Sequence, residues 1–243
     1  MEFHPDKCQV IPITRKKTPQ RNRYILNGHT LEITDSAKYL GVNINSNLSW
    51  NKHINSITTK ANRTLGFLKR NVKISSPKIK SQAYTSLVRP ILEYASPVWN
   101  PHTKQNIDKI EMVQRRAARY VLNRFHNTSS VTNMIETLGW RSLEYRRMDA
   151  SLCLFYKIVN GLVLIPADQY LTPLLRSTRL HHTLAYQIPY SNCDYHRFSF
   201  FPRTNRVWNV LPQSFVIIST YEAYTLLFLF KCTVYIVVAQ LVQ

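Results

Sequence analysis

The chain has 243 residues, of which 44% are hydrophobic, so it is long enough to bury at least one core. Its 32 lysines and arginines against 13 acidic residues give a formal charge of +19, which favours a polyanionic partner, nucleic acid first and an anionic membrane second. The four cysteines form no CxxC pair and the five glycines build no phosphate-binding loop, so a disulfide framework, a zinc ribbon and a P-loop are not indicated.

The first 48 residues have the pattern of short strands. Asn27-Gly28 lies between two apolar stretches, which is the strongest short-range signal for a β-hairpin. The runs CQVIPI and KYLGVNI are two further strand candidates. Residues 1–48 are therefore predicted to form a small β-rich region.

From Trp50 the hydrophobic period changes to that of a helix. Apolar residues recur at spacings of three and four and form one narrow stripe, which consists of Trp50, Ile54, Ile57, Ala61, Leu65 and Leu68. Lys52, Arg63 and Arg70 fall on the opposite side, nearly in line along the helix axis. The pattern predicts one long helix with a buried face and a cationic face.

The next helix is predicted to begin at Ser76-Pro77, a capping residue followed by a proline in the first turn. Pro90 must kink or interrupt this helix, because it removes one backbone hydrogen bond and clashes with the previous turn. Glu93 follows Arg89 by four residues, and this spacing predicts an ion pair along the helix.

The stretch KIEMVQRRAARYVLNR belongs to a third long helix with two distinct faces. Apolar residues gather on one side, and five cations occupy an arc of about 140° on the other, namely Lys104, Lys109, Arg115, Arg116 and Arg119. Lysine and arginine aligned on a rigid element are typical of phosphate contacts.

The residues predicted to bind nucleic acid are Lys52, Arg63, Arg70, Lys109, Arg115, Arg116 and Arg119. The alternative is a solvated face, or pairing with acids of neighbouring helices, although the acids are too few to pair most of them.

Beyond this helix the pattern weakens along the chain. Ser142 and Gly161 are predicted to cap a further helix, and irregular structure is predicted over residues 162–212. The aromatic and arginine-rich segment Phe198–Trp208 is predicted either to stack on bases or to form a local core. The apolar tail, residues 213–243, carries Lys231 near its middle, so a membrane span is disfavoured against a buried strand or a poorly specified tail.

No arrangement of residues predicts catalysis. The sequence contains no Asp-Asp and no Asp-x-Asp, the patterns that would suit two-metal phosphoryl transfer. One zinc set is conceivable but disfavoured, because side chains of adjacent histidines usually diverge; its members are His181, His182, Cys193 and His196. The chain is accordingly expected to have no catalytic residue, no metal site and no cofactor.

Seven ordered strings carry a resemblance to a known family. They are FHPDKCQVI, SAKYLGVNINSNLSWNKHI, KANRTLGFLKRN, AYTSLVRPILEYASPVWNP, KIEMVQRRAARYV, LGWRSLEYRR and SFFPRTNRVWNVLP. In this order, over residues 3–212, they resemble the C-terminal part of the reverse transcriptases of jockey-like non-LTR retrotransposons. The resemblance implies that residues 1–48 are the end of the palm after the catalytic loop, with Lys7 and Tyr39–Ile44 matching family positions. It implies a thumb-like helical region over residues 49–161.

The departures from the family pattern bear on activity. Enzymes of this family use magnesium held by aspartates, and the chain begins after the Tyr-x-Asp-Asp loop that supplies them. His4 replaces the usual asparagine, and the pattern is lost after Pro212. The resemblance therefore implies a truncated RNA-directed DNA polymerase fragment that binds nucleic acid without catalysis.

Together these expectations define a fold and a set of partners. The fold class is α+β and predominantly helical: a small palm-edge β-layer, a thumb-like helical bundle, an irregular C-terminal segment (162–212) and a divergent tail (213–243). The expected partners are a template–primer duplex or RNA and the missing upstream polymerase domains; a membrane is not expected.

The alternative is a host-retained or incidental protein-interaction chain without enzymatic role. The polar, acidic start lacks a signal peptide, which favours the cytoplasm or nucleus.

Overall fold

The structure is a computed structural model, and it describes residues 4–14, 16, 22–73, 76–126, 128–174 and 182–216. The fold is α+β and predominantly helical, as predicted. The chain divides into two compact units, Met1–Leu92 with Thr103–Met134 and Glu93–His102 with Ile135–Gln243. Helices of the predicted 49–161 segment are shared between the two units. Most of the apolar tail, residues 217–243, lies outside the described residues.

The first 48 residues contain short strands, as predicted. The strands are β1 (Gln9–Val10), β2 (Ile25–Leu26), β3 (His29–Thr30), β4 (Glu32–Ile33), β5 (Ser36–Tyr39) and β6 (Val42–Asn45). They form two-stranded sheets: β1 pairs with β4 in parallel, and β2–β3 and β5–β6 are antiparallel hairpins. Each pair is too small to bury a core alone, so the helices supply the buried apolar surface of this unit.

Two hairpin turns use positive φ angles. The predicted turn at Asn27-Gly28 is confirmed, with φ of 47° and 80°. KYLGVNI, predicted as one strand, is instead the β5–β6 hairpin, with its turn at Leu40-Gly41, where φ is 44° and 86°. The reason for the error is that a leucine in the left-handed region costs roughly 1–2 kcal/mol and is not a turn signal.

The helices follow the predicted periodicity. In chain order they are α1 (Asn51–Asn71), α2 (Pro77–Ala83), α3 (Arg89–Glu93), α4 (Ser96–Trp99), α5 (Lys104–Leu122), α6 (Val131–Thr137), α7 (Leu143–Val159), α8 (Asp194–Arg197), α9 (Phe200–Trp208) and α10 (Gln213–Val216). Single 3₁₀ turns occur at Pro5–Lys7 and Ala167–Gln169. In the predicted α1 stripe Ile54, Ala61, Leu65 and Leu68 are buried, and the other two members are half-buried.

Helix α1 is the central element of the first unit. It packs against α5, against β6 and against a π-helical turn, Tyr84–Val88, that links α2 to α3. The π turn ends two residues before Pro90, and the Arg89 N–H donates to the Tyr84 carbonyl. The chain therefore passes the predicted proline interruption through one wide turn. Tyr84 is fully buried, and its hydroxyl donates to Gln114 Oε1 of α5 at 3.1 Å.

The start of α1 is anchored to the β region by two side chains. His53 is buried, and its Nδ1 accepts a hydrogen bond from the Asn43 N–H at 3.3 Å. Burial lowers the pKa of His53, and the charge of Lys38 lowers it further, so the neutral ring that this acceptor role requires is favoured. Lys52 Nζ contacts the Ser36 hydroxyl of β5. These contacts fix the orientation of the polar face of α1.

The second unit has an aromatic core. Its buried members are Leu152, Phe155, Tyr156, Leu171, Trp208, Leu211, Phe215 and Val216. Helix α7 packs against α4 and α9. The predicted caps of α7 are confirmed: the Ser142 hydroxyl accepts from the Tyr145 N–H, and the helix ends at Val159 before Gly161, whose φ is 65°. Within the segment predicted to be irregular, α9 is a regular helix. It tolerates Pro202 because this residue lies in the first turn, where a missing N–H is harmless.

Two ion pairs of the second unit involve α7. Glu93 accepts from Arg146, which lies 53 residues away, a partner that the helical spacing to Arg89 did not suggest. Arg141 binds both carboxylate oxygens of Asp149. Burial raises the pKa of Asp149 to about 6, since desolvation outweighs the opposing charges of Arg141 and Arg146.

The raised pKa of Asp149 predicts a pH-dependent stability. A carboxyl whose folded pKa exceeds its unfolded value of 3.8 stabilises the fold fully below pH 3.8, and that stabilisation is lost as the pH rises through about 6. Asp149→Asn removes this titration. Between pH 4 and pH 7 the wild type is expected to lose about 2–3 kcal/mol of unfolding free energy relative to the variant, measured by urea denaturation. Parallel pH profiles for the two proteins would contradict this assignment.

Candidate nucleic-acid interface

Lysine and arginine supply the charged side chains of α1. The helix contains no aspartate or glutamate, and its five cations are Lys52, Lys60, Arg63, Lys69 and Arg70. The three that were predicted to bind phosphates, Lys52, Arg63 and Arg70, are all exposed. Like charges along one face repel one another unless an anion lies close, so this face is electrostatically suited to a polyanion.

Helices α1 and α5 run side by side in the same direction. Their polar contacts join residues at a nearly constant offset of 54 or 55 positions, which only parallel helices with the same rise can produce. The contacts are Asn106 Nδ2 to Asn51 Oδ1 at 2.7 Å, Lys109 Nζ to Asn55 Oδ1 at 2.6 Å and Arg116 Nη1 to Asn62 Oδ1 at 3.1 Å. We call these six side chains the α1–α5 seam.

The seam holds two cations through neutral partners. The side-chain carbonyls of Asn55 and Asn62 accept hydrogen bonds from Lys109 and Arg116, so they orient both groups without cancelling their charge. By contrast, Lys104 of the same helix pairs with Asp108 at 3.2 Å, which neutralises it locally. An oriented and uncompensated cation is the arrangement that a phosphate contact requires.

Arg115 and Arg119 lie on the other flank of α5. Consecutive residues differ by about 100° around a helix, so Arg115 points away from α1 while its neighbour Arg116 faces it. Arg115 is exposed and Arg119 is half-buried. The seven predicted cations therefore occupy three rows, namely an α1 row (Lys52, Arg63, Arg70), the seam (Lys109, Arg116) and an outer α5 row (Arg115, Arg119). Among the described residues none of them has a carboxylate partner.

The electrostatics near the end of α1 show how dense the positive charge is. Burial lowers the pKa of Lys69, and the nearby Arg116 charge lowers it further. Proximity of two cations without an intervening carboxylate is unfavourable in the free protein. Binding an anion between them would relieve this repulsion.

Sequence reasoning missed the seam asparagines, although a signal for them exists. Asn55 and Asn62 are seven residues apart, as are Lys109 and Arg116. Asparagine is a poor helix former, because its side chain competes for backbone hydrogen bonds. Asparagines repeating on the flank of a long helix, in step with cations on another helix, would have been a reason to pair the two helices.

The segment Phe198–Trp208 is a local core, which decides between the two readings left open by the sequence. Trp208 is fully buried, and its ring lies 5.0 Å from that of Phe155. Arg203 donates to the backbone carbonyls of Pro97 and Asn100 at 3.0 and 3.1 Å. Burial lowers the pKa of Arg203 to about 10, with a smaller contribution from the Arg147 charge. The Trp208 ring and the Arg203 guanidinium thus have structural partners within the second unit.

The residues of the disfavoured zinc set are not gathered in the described part of the chain. His182 is buried with its Nε2 2.8 Å from the Trp208 carbonyl, and His196 Nδ1 lies 2.8 Å from the Ser191 hydroxyl. His181 lies outside the described residues. Over the described ranges no three His, Cys, Asp or Glu side chains converge as metal ligands would.

The same described ranges contain no helix with both the length and the hydropathy that a membrane span requires.

The fold and the seam define a class of protein: a predominantly helical α+β chain whose longest helices present acid-poor, cationic faces. Comparison with known proteins adds two partial relatives. The chain is 27% identical over 99 residues to the protein named "Probable RNA-directed DNA polymerase from transposon BS" of Drosophila melanogaster, covering 40% of this chain and 11% of that protein. It is 24% identical over 123 residues to an uncharacterized protein of Caenorhabditis elegans, covering 50% of this chain and 62% of that protein.

These similarities are partial on both sides. The chain spans less than two thirds of either relative. No family model matches the sequence, and no solved structure matches it. The comparisons therefore support a distant relationship to a transposon RNA-directed DNA polymerase.

Proposed function

We propose that this chain is a nucleic-acid-binding fragment of a transposon RNA-directed DNA polymerase and that it has no polymerase activity of its own. Within that class, the seven ordered strings favour the C-terminal part of a jockey-like non-LTR element, comprising the palm end, the thumb and the following region. The partial similarity to the Drosophila transposon protein supports the broader relationship. The proposed ligand is a template–primer duplex or RNA.

One observation carries the binding part of this proposal. Lys109 and Arg116 of α5 donate hydrogen bonds to neutral asparagines of α1, and α1 contains no aspartate or glutamate. If these cations served only the fold, an acidic partner would stabilise them more strongly and would lower the net repulsion. Their uncompensated charge is explained by a phosphate backbone lying along α1 and α5.

The proposed contacts are to phosphates, so the binding should be independent of sequence. Phosphate contacts fix the position of a strand but do not read its bases. The side chains of the proposed surface are Lys52, Arg63, Arg70, Lys109, Arg115, Arg116 and Arg119. Their three rows on two parallel helices suit an extended polyanion better than a compact ligand.

The experiment is a salt titration of binding to a labelled RNA–DNA duplex, measured by fluorescence anisotropy. The affinity is expected to fall steeply with salt, with a slope of about 0.9 for each phosphate neutralised, because counterions are released. Scrambling the duplex sequence is the control and should leave the affinity unchanged. Primer extension with magnesium on the same preparation should show no incorporation. A salt-insensitive protein complex without co-purifying nucleic acid would favour the protein-interaction alternative instead.

A further inference from the structure

A pocket of about 440 Å³ opens where α1 and α5 end. Its polar and aromatic lining consists of Lys69, Lys73, Lys80, Tyr120, Asn123 and Phe125. This volume is within the range that binds small organic ligands. The lining is unusual in that it combines three lysines with an exposed aromatic ring and contains no acidic side chain.

The pocket continues the line of the seam. On α1 the seam residues Asn55 and Asn62 are followed after seven more residues by Lys69. Lys109 and Arg116 of α5 are followed, at the same spacing, by Asn123, the residue directly after the end of α5. Seven helical residues rise about 10.5 Å. The seam residues of both helices therefore lead to the pocket, which lies about this distance beyond Asn62 and Arg116. That distance equals about three phosphate spacings of one strand in a stacked duplex. A backbone lying along the seam would therefore meet the pocket at its end.

The charge of the pocket favours a phosphate. The carboxyl ends of two helices carry partial negative charge, which alone would repel an anion. The Tyr120 hydroxyl lies 3.2 Å from the Leu68 carbonyl and 3.2 Å from the Val72 carbonyl, and it caps the end of α1. The positive charge of the three lysines exceeds the remaining partial negative charge of the helix ends. In the described structure none of the three lysines has a carboxylate partner. An anion entering here would meet a net positive site.

Phe125 gives the pocket a second kind of contact. Its side chain is 55% exposed, and Lys69 Nζ lies 6.0 Å from the ring centroid. An exposed ring next to phosphate-binding lysines is the arrangement with which proteins hold unpaired bases, since stacking tolerates every base. A paired base would first have to leave its stack, at a cost that an unpaired end or overhang does not carry.

We propose that this pocket holds an unpaired nucleotide at the end of a bound nucleic-acid strand, with Lys69, Lys73 and Lys80 around its phosphate and Phe125 stacked on its base. The inference rests on the proposed function, because it places the rest of the strand along the seam. It adds a preference for one form of nucleic acid, because a duplex with a single-stranded overhang binds more tightly than a blunt duplex of equal charge.

The test compares four labelled ligands with equal numbers of phosphates: a blunt duplex, a 5′ overhang, a 3′ overhang and an overhang with abasic sites. One of the overhang duplexes is expected to bind the wild type about ten-fold more tightly than the blunt duplex, and the abasic overhang should lose most of this gain. Phe125→Ala should remove the preference while leaving blunt-duplex affinity unchanged. Lys73→Gln should lower the salt slope for the overhang ligand by about one.

The chain offers matched control variants. Phe67 of α1 is also 55% exposed and does not line the pocket, so Phe67→Ala should keep the overhang preference. Lys60→Gln removes one exposed charge of α1 outside the pocket. Equal affinity for blunt and overhang ligands, or equal effects of Phe125→Ala and Phe67→Ala, would overturn the pocket inference. Failure to bind any of the four ligands would overturn the proposed function itself.

Discussion

Exchange of Lys109 and Arg116 for glutamine is expected to weaken binding of a nucleic-acid duplex by about 100-fold at low salt, because each charged hydrogen bond contributes about 1.5 kcal/mol or more. The salt slope should fall by about two, since two fewer counterions are released. Glutamine retains a donor for Asn55 and Asn62, so the fold of the two parallel helices should be preserved. Anisotropy titrations at several salt concentrations, with circular dichroism as the check on folding, measure the effect.

A variant of equal charge separates the seam from net charge. Lys104→Gln with Lys157→Gln also removes two positive charges, but Lys104 is already paired with Asp108 and Lys157 lies on α7. This control should lose only a few-fold in affinity. If both double variants weaken binding equally, long-range charge alone explains the affinity and the seam is not the contact surface. Asn55→Ala with Asn62→Ala, which leaves the charge unchanged, then reports whether the asparagines orient the two cations.

The helices were predictable because their signals are local. The stripe that ends in Leu65 and Leu68 repeats with the helical period, and Ser142 and Gly161 mark the ends of α7 through backbone chemistry within a few residues. The Asn27-Gly28 turn was predictable for the same reason, since its signal lies in two adjacent residues. The Leu40-Gly41 turn was missed because the conformation is imposed by pairing of the strands on either side, against the preference of leucine.

The partners of charged side chains were not predictable, because they depend on contacts between distant parts of the chain. The sequence placed cations on the correct exposed faces, but which of them share a surface depends on the register of α1 against α5, 54 residues apart. Glu93 is an example of the same limit, since its contact with Arg146 arises from tertiary packing that helical spacing does not contain. Arg203 is another, because only the fold shows that it bonds to backbone carbonyls.

The largest expected loss of stability comes from Trp208→Ala in the second unit. Trp208 is fully buried, its Nε1 donates to the Leu184 carbonyl at 2.8 Å, and its own carbonyl lies 2.8 Å from His182 Nε2. Truncation leaves a cavity beside Phe155 and removes the hydrogen bond to the Leu184 carbonyl. We expect the free energy of unfolding to fall by about 3–5 kcal/mol, measured by chemical denaturation with circular dichroism.

The matched control for this variant is Tyr190→Ala, an aromatic truncation at a side chain that is 89% exposed. It should change the unfolding free energy by less than about 0.5 kcal/mol, because no buried surface is lost. The Trp208→Ala variant also separates stability from binding, because the seam belongs to the first unit and Trp208 to the second. At a low temperature at which the variant is still folded, it should bind duplex like the wild type. A loss for Trp208→Ala as small as that for Tyr190→Ala would mean that α9 does not close the core of the second unit.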